Sequence, residues 1–329
     1  MHYRKLGRTG LSVSELCLGT MTFGLQSDET TSRAVLDKAA AAGVNFLDTA
    51  DVYPLAGGVE NAGRTEEIVG RWLKGKRHEY IVATKAVGKV GRAPWDQGSS
   101  RKHILDAIDS SLRRLQTDHV DLYQLHSDDR ETPLDETIEA LNDVVRSGKA
   151  RYIGVSNFLA YRLALALGKA EARNFTRFVS VQPRYNLLFR EIERELLPLT
   201  QEEGLGVIPY NPLAGGLLTG KHAFAAGPTP GTRFTGAAAE RYQARYWHEH
   251  QFATVEQIKR VVKEAGQNIT TVAVQWVLAN PAIRSAIIGA SKPEQLNDTL
   301  LASERPIDPQ LKKQLDELTA EYRRGDSDR

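Results

Sequence analysis

The chain has 329 residues, of which 41% are hydrophobic and 26% charged, with a formal net charge of +2. That balance fits a globular protein with room for one large barrel or two ordinary domains. It excludes the strongly basic composition that would point to nucleic acid or an anionic membrane as partner.

The N-terminal stretch "MHYRKLGRTG" is polar and lacks an apolar signal-peptide core, and no run approaches the ~18 apolar residues of a membrane helix. The expectation is a cytoplasmic protein with no membrane partner. Cys17 is the single cysteine, so no intrachain disulfide forms, which suits a reducing compartment. In the apolar run "ELCLG" it reads as a core residue.

In chain order, "YRKLGRTGLSVSE" carries a Gly-bearing turn between two short extended pieces, a small hairpin. Strand patterns follow at 14–19, 45–50, 80–85, 120–126, 150–157, 179–186, 206–212 and 285–291. Helical patterns separate them. "DETTSRAVLDKAAAAG" has an acidic start and stops at Gly43; "DETIEALNDVVRSGK" stops at Gly148. The stretch from Pro212 to Ser285 exceeds one crossover and reads as a loop, "LAGGLLTGKHAFAAGPTPGTRFTGAAAERYQ", followed by helices in "QFATVEQIKRVVKEAG" and "TTVAVQWVLAN". The last residues, from about 322, read as a frayed tail.

Eight strands alternating with helices imply parallel pairing. Eight such units over this length match a closed (β/α)8 TIM barrel, one α/β domain spanning 1–329, with the hairpin at its floor and extra helices after the seventh strand and at the C-terminus. In such a barrel the active face lies at the carboxyl ends of the strands. Thr20, Asp48, Tyr53, Lys85, His126, Ser156, Asn157, Gln182, Tyr210, Asn211 and Ser291 all fall in or near those ends. This explains why "NFLDTADVY" runs an apolar strand into two carboxylates and a phenol.

Four of these residues make a coherent chemical set. A phenol is a poor acid at neutral pH, and a nearby ammonium lowers its pKa. Asp48 would hold Lys85, Lys85 would tune Tyr53, and His126 would hydrogen-bond an incoming carbonyl oxygen. Singly, each reads as an ion pair, a core tyrosine or a satisfied histidine. At the ends of three consecutive strands, the set reads as functional.

"GLSVSELCLGTMTFG", "NFLDTADVY", "IVATK", "VDLYQLH", "ARYIGVSNF", "QPRYN", "PYNPLAGGLLTGK" and "IIGASKPEQL" together resemble the aldo-keto reductase superfamily, NADPH-dependent (β/α)8 barrels, over nearly the whole chain. The resemblance implies a catalytic tetrad of Asp48, Tyr53, Lys85 and His126. It also implies an extended dinucleotide across the barrel mouth, which suits a chain whose only G-x-G, at Gly204-Leu205-Gly206, opens no phosphate loop. By the same resemblance Ser156, Asn157 and Gln182 hold the carboxamide, Tyr210 stacks on the nicotinamide, and Thr20 lies near that end. Asn211, Leu213 and Gly216 let backbone amides approach the pyrophosphate, and Lys221 and Arg233 contact phosphates. Gly289, Ser291, Lys292 and Gln295 introduce a helix N-terminus suited to an anion, so NADP(H) is expected over NAD(H). Thr299 departs from the Asn that many relatives carry to hold the adenine.

Loops at this face select substrate, which makes Trp95 and Trp247 candidate pocket walls. "HEH" at 248–250 lacks the i, i+4 spacing of a helical zinc site, and no metal is expected. The expected partner is a small-molecule carbonyl or alcohol, reduced or oxidised reversibly. Potassium-channel beta subunits, regulatory proteins with weak reductase activity, also resemble this chain, but they carry Asn where this sequence has His126. The sequence names neither the substrate nor an oligomeric state; a homo-oligomer stays open.

Overall fold

The computed structural model describes residues 1–324. Its sheet follows directly from the apolar strand patterns. Strands β1 (Tyr3–Lys5) and β2 (Ser12–Ser14) pair antiparallel as the expected hairpin. Strands β3 (Leu16–Gly19), β4 (Phe46–Asp48), β5 (Ile81–Ala86), β6 (Val120–Leu125), β7 (Ala150–Ser156), β8 (Phe178–Gln182), β9 (Gly206–Val207) and β10 (Ala286–Gly289) form one parallel sheet in the order β10-β3-β4-β5-β6-β7-β8-β9. Bridges Val207–Ile283 and Tyr210–Ile287 close it between β9 and β10, with Arg284 N donating to Val207 O (2.8 Å) and Ile287 N to Pro209 O (2.9 Å). The fold is the expected (β/α)8 TIM barrel.

Most strands are shorter than their apolar runs suggested, and in two of them prolines set the limit. In the sixth run, 179–186, the continuous ladder ends at Gln182, because Pro183 follows and offers no N–H to it, leaving only isolated bridges at Arg184 and Asn186; Pro209 and Pro212 curtail β9 in the same way.

Helices α1 (Glu29–Ala41), α2 (Arg64–Leu73), α3 (Arg101–Leu115), α4 (Leu134–Arg146), α5 (Ala160–Ala172) and α6 (Leu196–Glu202) fill the first six crossovers. Asp28 caps α1 by accepting from Thr31 N, and Ser100 caps α3 by accepting from His103 N. The seventh crossover holds α7 (Ala239–Tyr246), α8 (Glu249–Glu264) and α9 (Ile269–Leu278). Of these, α7 begins within the stretch expected to be loop; its exposed, Ala- and Arg-rich face gave no strong apolar period, yet Tyr242 and Tyr246 are buried on one side. Short α10 (Asn297–Leu300), α11 (Pro309–Leu318) and α12 (Glu321–Arg324) complete the described residues. Where a tail was expected from residue 322, Tyr322 OH instead meets Thr254 Oγ1 at 2.9 Å and Tyr322 O accepts from Arg190 N at 3.0 Å. Residues 325–329 of that expected tail lie outside the described residues.

Two apolar layers organise the interior. One lies between sheet and helices. The other fills the barrel itself, where Leu6 and Val13 from the hairpin meet Cys17, Phe46, Ile81, Ala83, Leu122, Ile208 and Ile287. The hairpin thus plugs the floor, and the polar side chains sit above that apolar plug at the opposite end. Among the described residues, no helix is long and apolar enough to cross a membrane.

Candidate active site

Asp48 is the last residue of β4, Lys85 the penultimate residue of β5, and His126 follows β6 directly. Tyr53 sits in the turn after β4, its N–H bonded to Ala50 O at 3.2 Å. Parallel pairing in register places these ends side by side. Lys85 Nζ donates to Asp48 Oδ2 (2.5 Å) and to Thr49 O (2.8 Å), and it stands 5.0 Å from the centre of the Tyr53 ring. The His126 ring meets the Tyr53 ring edge-on at 5.6 Å and 79°. Lys85 and Asp48 are almost wholly shielded, with side-chain exposures of 0% and 4%, so their attraction is little screened by water.

Burial sets the protonation states. It opposes charge on Lys85, but Asp48 and Tyr53 outweigh it and hold the ammonium above its ordinary pKa. Burial raises the Tyr53 phenol further than Lys85 lowers it, so the phenol lies above its ordinary value. That corrects the expectation that the ammonium would win: removing the phenol from water costs the phenolate more than one neighbouring cation returns. Burial, then Lys85 and Arg241, push His126 down to about 3. At neutral pH the cluster therefore presents a protonated phenol, a cationic amine and a neutral imidazole.

The second carboxylate of the opening motif behaves differently. Asp51 is 1% exposed and neither carboxyl oxygen has a protein partner. Burial, with Glu66 nearby, raises its pKa well above the carboxylate range. The chain tolerates two buried carboxyls because one is paired with Lys85 and the other is held neutral.

The groups expected around a dinucleotide form a connected rim. Thr20 Oγ1 donates to Asp48 O (2.9 Å) and Ser156 Oγ to Gln182 O (2.8 Å). Asn157 adopts a left-handed φ of 59°, which lets its Nδ2 donate to His126 O (2.9 Å) while Oδ1 accepts from Tyr210 OH (2.8 Å). Gln182 Nε2 donates to Asp48 Oδ1 at 2.8 Å. Asn211 orders the following loop: Oδ1 accepts from Gly215 N (2.8 Å) and Nδ2 donates to Tyr246 OH (3.0 Å). Leu213 leads into a kinked turn whose Gly216 has φ 107°, a backbone that disfavours any side chain.

Farther out, Arg233 Nη1 donates to Tyr242 OH (2.9 Å), and Nη2 would lie 3.8 Å from a Cβ built on Gly289. A small cleft of about 150 Å³, lined in part by Met21, Gln26, Leu55, Arg233 and Tyr242, adjoins one of about 350 Å³ lined by Gln26, Asp28, Ser291 and Lys292; Gln26 belongs to both. The expected helix start after β10 begins instead as a 3-10 turn, Pro293–Leu296, and Ser291 N is already bonded to Gln295 Oε1 at 2.8 Å. Thr299 is buried and donates to Leu296 O (3.1 Å).

Three expected residues lie apart from this cluster's contacts. Lys221 is exposed on the long loop. Trp247 packs edge-on against Phe234 (4.8 Å), Phe252 (4.8 Å) and His222 (5.7 Å), where it anchors that loop. Trp95 is 55% exposed on the loop after β5. His250 of "HEH" pairs with Glu321 at 2.8 Å and His248 with Ala244 O at 2.9 Å.

Gln124 was missed by the sequence reading. It is fully buried in β6 and reaches Asp48 Oδ1 at 3.3 Å. Its only sequence signal is an amide placed among apolar residues in "VDLYQLH".

The arrangement joins a protonated phenol, a cation and a neutral imidazole at one rim, with the two clefts that share Gln26 farther out. Residues 15–320 match the model of the Aldo/keto reductase family. The chain belongs to the aldo/keto reductase family. Relatives include the "Uncharacterized oxidoreductase YrpG" of Bacillus subtilis (strain 168), 44% identical over 97% of this chain and 96% of that protein. The "Versiconal hemiacetal acetate reductase" of Aspergillus parasiticus is 32% identical over 96% of each chain. A "Probable voltage-gated potassium channel subunit beta" of Oryza sativa subsp. japonica is 36% identical over 92% of this chain and 91% of that one. Family members generally use nicotinamide cofactors and act on small molecules, and this aldo/keto reductase is an oxidoreductase.

Proposed function

We propose that this aldo/keto reductase is an NADPH-dependent carbonyl reductase, converting an aldehyde or ketone to an alcohol and running the reverse oxidation when ratios favour it. The observation that carries the reading is the convergence of Tyr53, Lys85, Asp48 and His126 at one barrel rim, with the phenol protonated.

Tyr53 donates its proton to the carbonyl oxygen as negative charge develops there. Lys85 stabilises the phenolate left behind, and Asp48 fixes the ammonium. His126 is neutral, so it donates one hydrogen bond to the carbonyl without adding a charge. The nicotinamide, when bound, supplies the hydride.

The chain's residues fit that cofactor. Gln182, Asn157 and Ser156 offer amide and hydroxyl groups at the strand ends, and Tyr210 offers an aromatic face beside them. Gly216 leaves its backbone open, since a Cβ there would meet only His222 Nε2, at 3.8 Å. The two clefts that share Gln26 run from Arg233 toward Ser291 and Lys292. A cation and a hydroxyl at that end suit a 2′-phosphate and support NADP(H) over NAD(H).

The test is NADPH oxidation across a panel of aldehydes and ketones, with Tyr53→Phe as control. The variant should lose roughly a hundredfold or more in kcat while still binding NADPH by fluorescence titration. Undiminished turnover by Tyr53→Phe would remove the phenol from its role, and equal affinity for NADH would remove the 2′-phosphate argument.

A further inference from the structure

Gln124 points into the barrel like Leu122 two residues before it, and its neighbour on β7, Gly154, leaves it room, since a Cβ there would sit only 3.3 Å from Gln124 Cγ. There it closes a ring of buried polar contacts. Gln124 Nε2 faces Asp48 Oδ1 at 3.3 Å, Gln182 Nε2 faces the same oxygen at 2.8 Å, and Gln182 Nε2 also reaches Gln124 Oε1 at 3.4 Å. A carboxylate only accepts hydrogen bonds, so Asp48 dictates which way both amides point. One oxygen of Asp48 is thereby given to two amides, and the other is left for Lys85.

We propose that Gln124 is a positioning residue of the proton-donating site: with Gln182 it holds Asp48 in the orientation that presents Oδ2 to Lys85 and so fixes the ammonium near the Tyr53 phenol. Its kinetic consequences rest on the carbonyl-reductase reading; its structural ones do not. Gln124 itself meets Asp48 on β4, Gln182 on β8 and Gly154 on β7, and pairs in register with Lys85 on β5; Tyr53, His126 and Cys17 bear on the site through Asp48 and Lys85.

Three variants test it. Gln124→Leu removes both amide functions at nearly the same volume. Gln124→Glu places a second carboxyl against Asp48. Two like charges at that range cannot both ionise, so the introduced carboxyl keeps its proton into neutral pH and donates it to Asp48 Oδ1. Asp48→Asn/Gln124→Glu removes the like charge and leaves Lys85 facing the introduced carboxyl.

In NADPH-linked turnover, Gln124→Leu should lose about tenfold in kcat at every pH, as expected for one hydrogen bond to a charged group. Its KM for the carbonyl should stay within about threefold of the parent's, since Gln124 touches no substrate. Gln124→Glu should approach parental kcat near pH 6 and fall at least about tenfold by pH 9, gaining a basic limb in a range where the parent stays level.

Melting temperatures give a readout free of cofactor and substrate. The introduced carboxyl has a folded pKa above its unfolded one. Its stability contribution is therefore full below the unfolded value and is lost as pH rises through the folded value. The melting temperature of Gln124→Glu should fall relative to the parent between pH 5 and pH 9, and that fall should shrink in the Asp48→Asn background. An equal fall in both backgrounds would mean burial alone is at work and would overturn the proposal, as would full turnover by Gln124→Leu. If the parent fails to oxidise NADPH with any carbonyl, the reductase reading falls, and the melting experiment still decides whether Gln124 acts on Asp48.

Discussion

On the proposed mechanism, the protonation states at the barrel rim should make the reaction insensitive to pH over a wide span. The perturbation is pH itself, read on kcat/KM, which reports groups in the free protein. His126 is displaced from 6.5 to about 3. At about 1.4 kcal/mol per pH unit, that is a penalty of roughly 5 kcal/mol on the imidazolium. Near pH 5 only about one molecule in a hundred carries it. On the alkaline side, burial holds the phenol above 10, and Asp48 and Tyr53 hold the Lys85 ammonium above 10.5 against the pull of burial. The proton donor and its supporting cation are thus both intact well beyond neutrality. Initial rates of aldehyde reduction at constant ionic strength should be level from about pH 5 to about pH 9, with a descending limb only above about 10. A descending limb centred between pH 7 and 8 would show that Lys85 prevails over burial, and the account of Tyr53 given above would be wrong.

Other perturbations follow from the same contacts. Lys85→Met strands Asp48 in a buried site without its cation, and should cost about 3–5 kcal/mol in urea unfolding; a loss under 1 kcal/mol would mean the pair is more hydrated than its 0% and 4% side-chain exposures indicate. His126 has a folded pKa below its unfolded one, so stability is complete above about pH 6.5 and declines as pH falls toward about 3. His126→Gln should therefore lose less melting temperature than the parent between pH 6.5 and 4, His103 and His222 keeping a share of the acid sensitivity because burial lowers them too; parallel curves would refute this. Gly154→Ala forces a methyl to within 2.4 Å of Ser180 Oγ and 3.3 Å of Gln124 Cγ, so it should cost about 1–3 kcal/mol. Ser180→Gly should recover part of that loss, and no recovery would place the strain elsewhere.

The barrel and its rim were legible because their signals are local. Each strand is an apolar run closed by a polar residue, so the order of strands and the identity of Asp48, Lys85 and His126 could be read along the chain. Prolines 183, 209 and 212 were visible too, yet how much ladder each removed depended on which neighbour would have received the missing N–H. Helix α7 was hidden because its buried side rests on Tyr242 and Tyr246, two aromatics in a polar, Ala-rich stretch. The balance at Tyr53 was beyond a one-dimensional reading. The sequence supplies the cation, but only the packed barrel supplies the desolvation that overrides it. Gln124 escaped for a related reason: its partners, Asp48 and Gln182, lie 76 and 58 residues away.

The bond from Gln182 to Asp48 joins positions 134 residues apart, and it crosses a natural border. Strands β4 to β6 and the turn bearing Tyr53 belong to the front of the polypeptide; Asn157, Gln182, Tyr210 and the groove walls at Arg233 and Lys292 belong to the back. On the proposed function, a descendant of this gene could exchange the segment that carries Trp95 and acquire a new taste in substrates while inheriting the proposed nucleotide site unaltered. What it could not exchange freely is the pair of amides at the border, since they are where the two inheritances must agree.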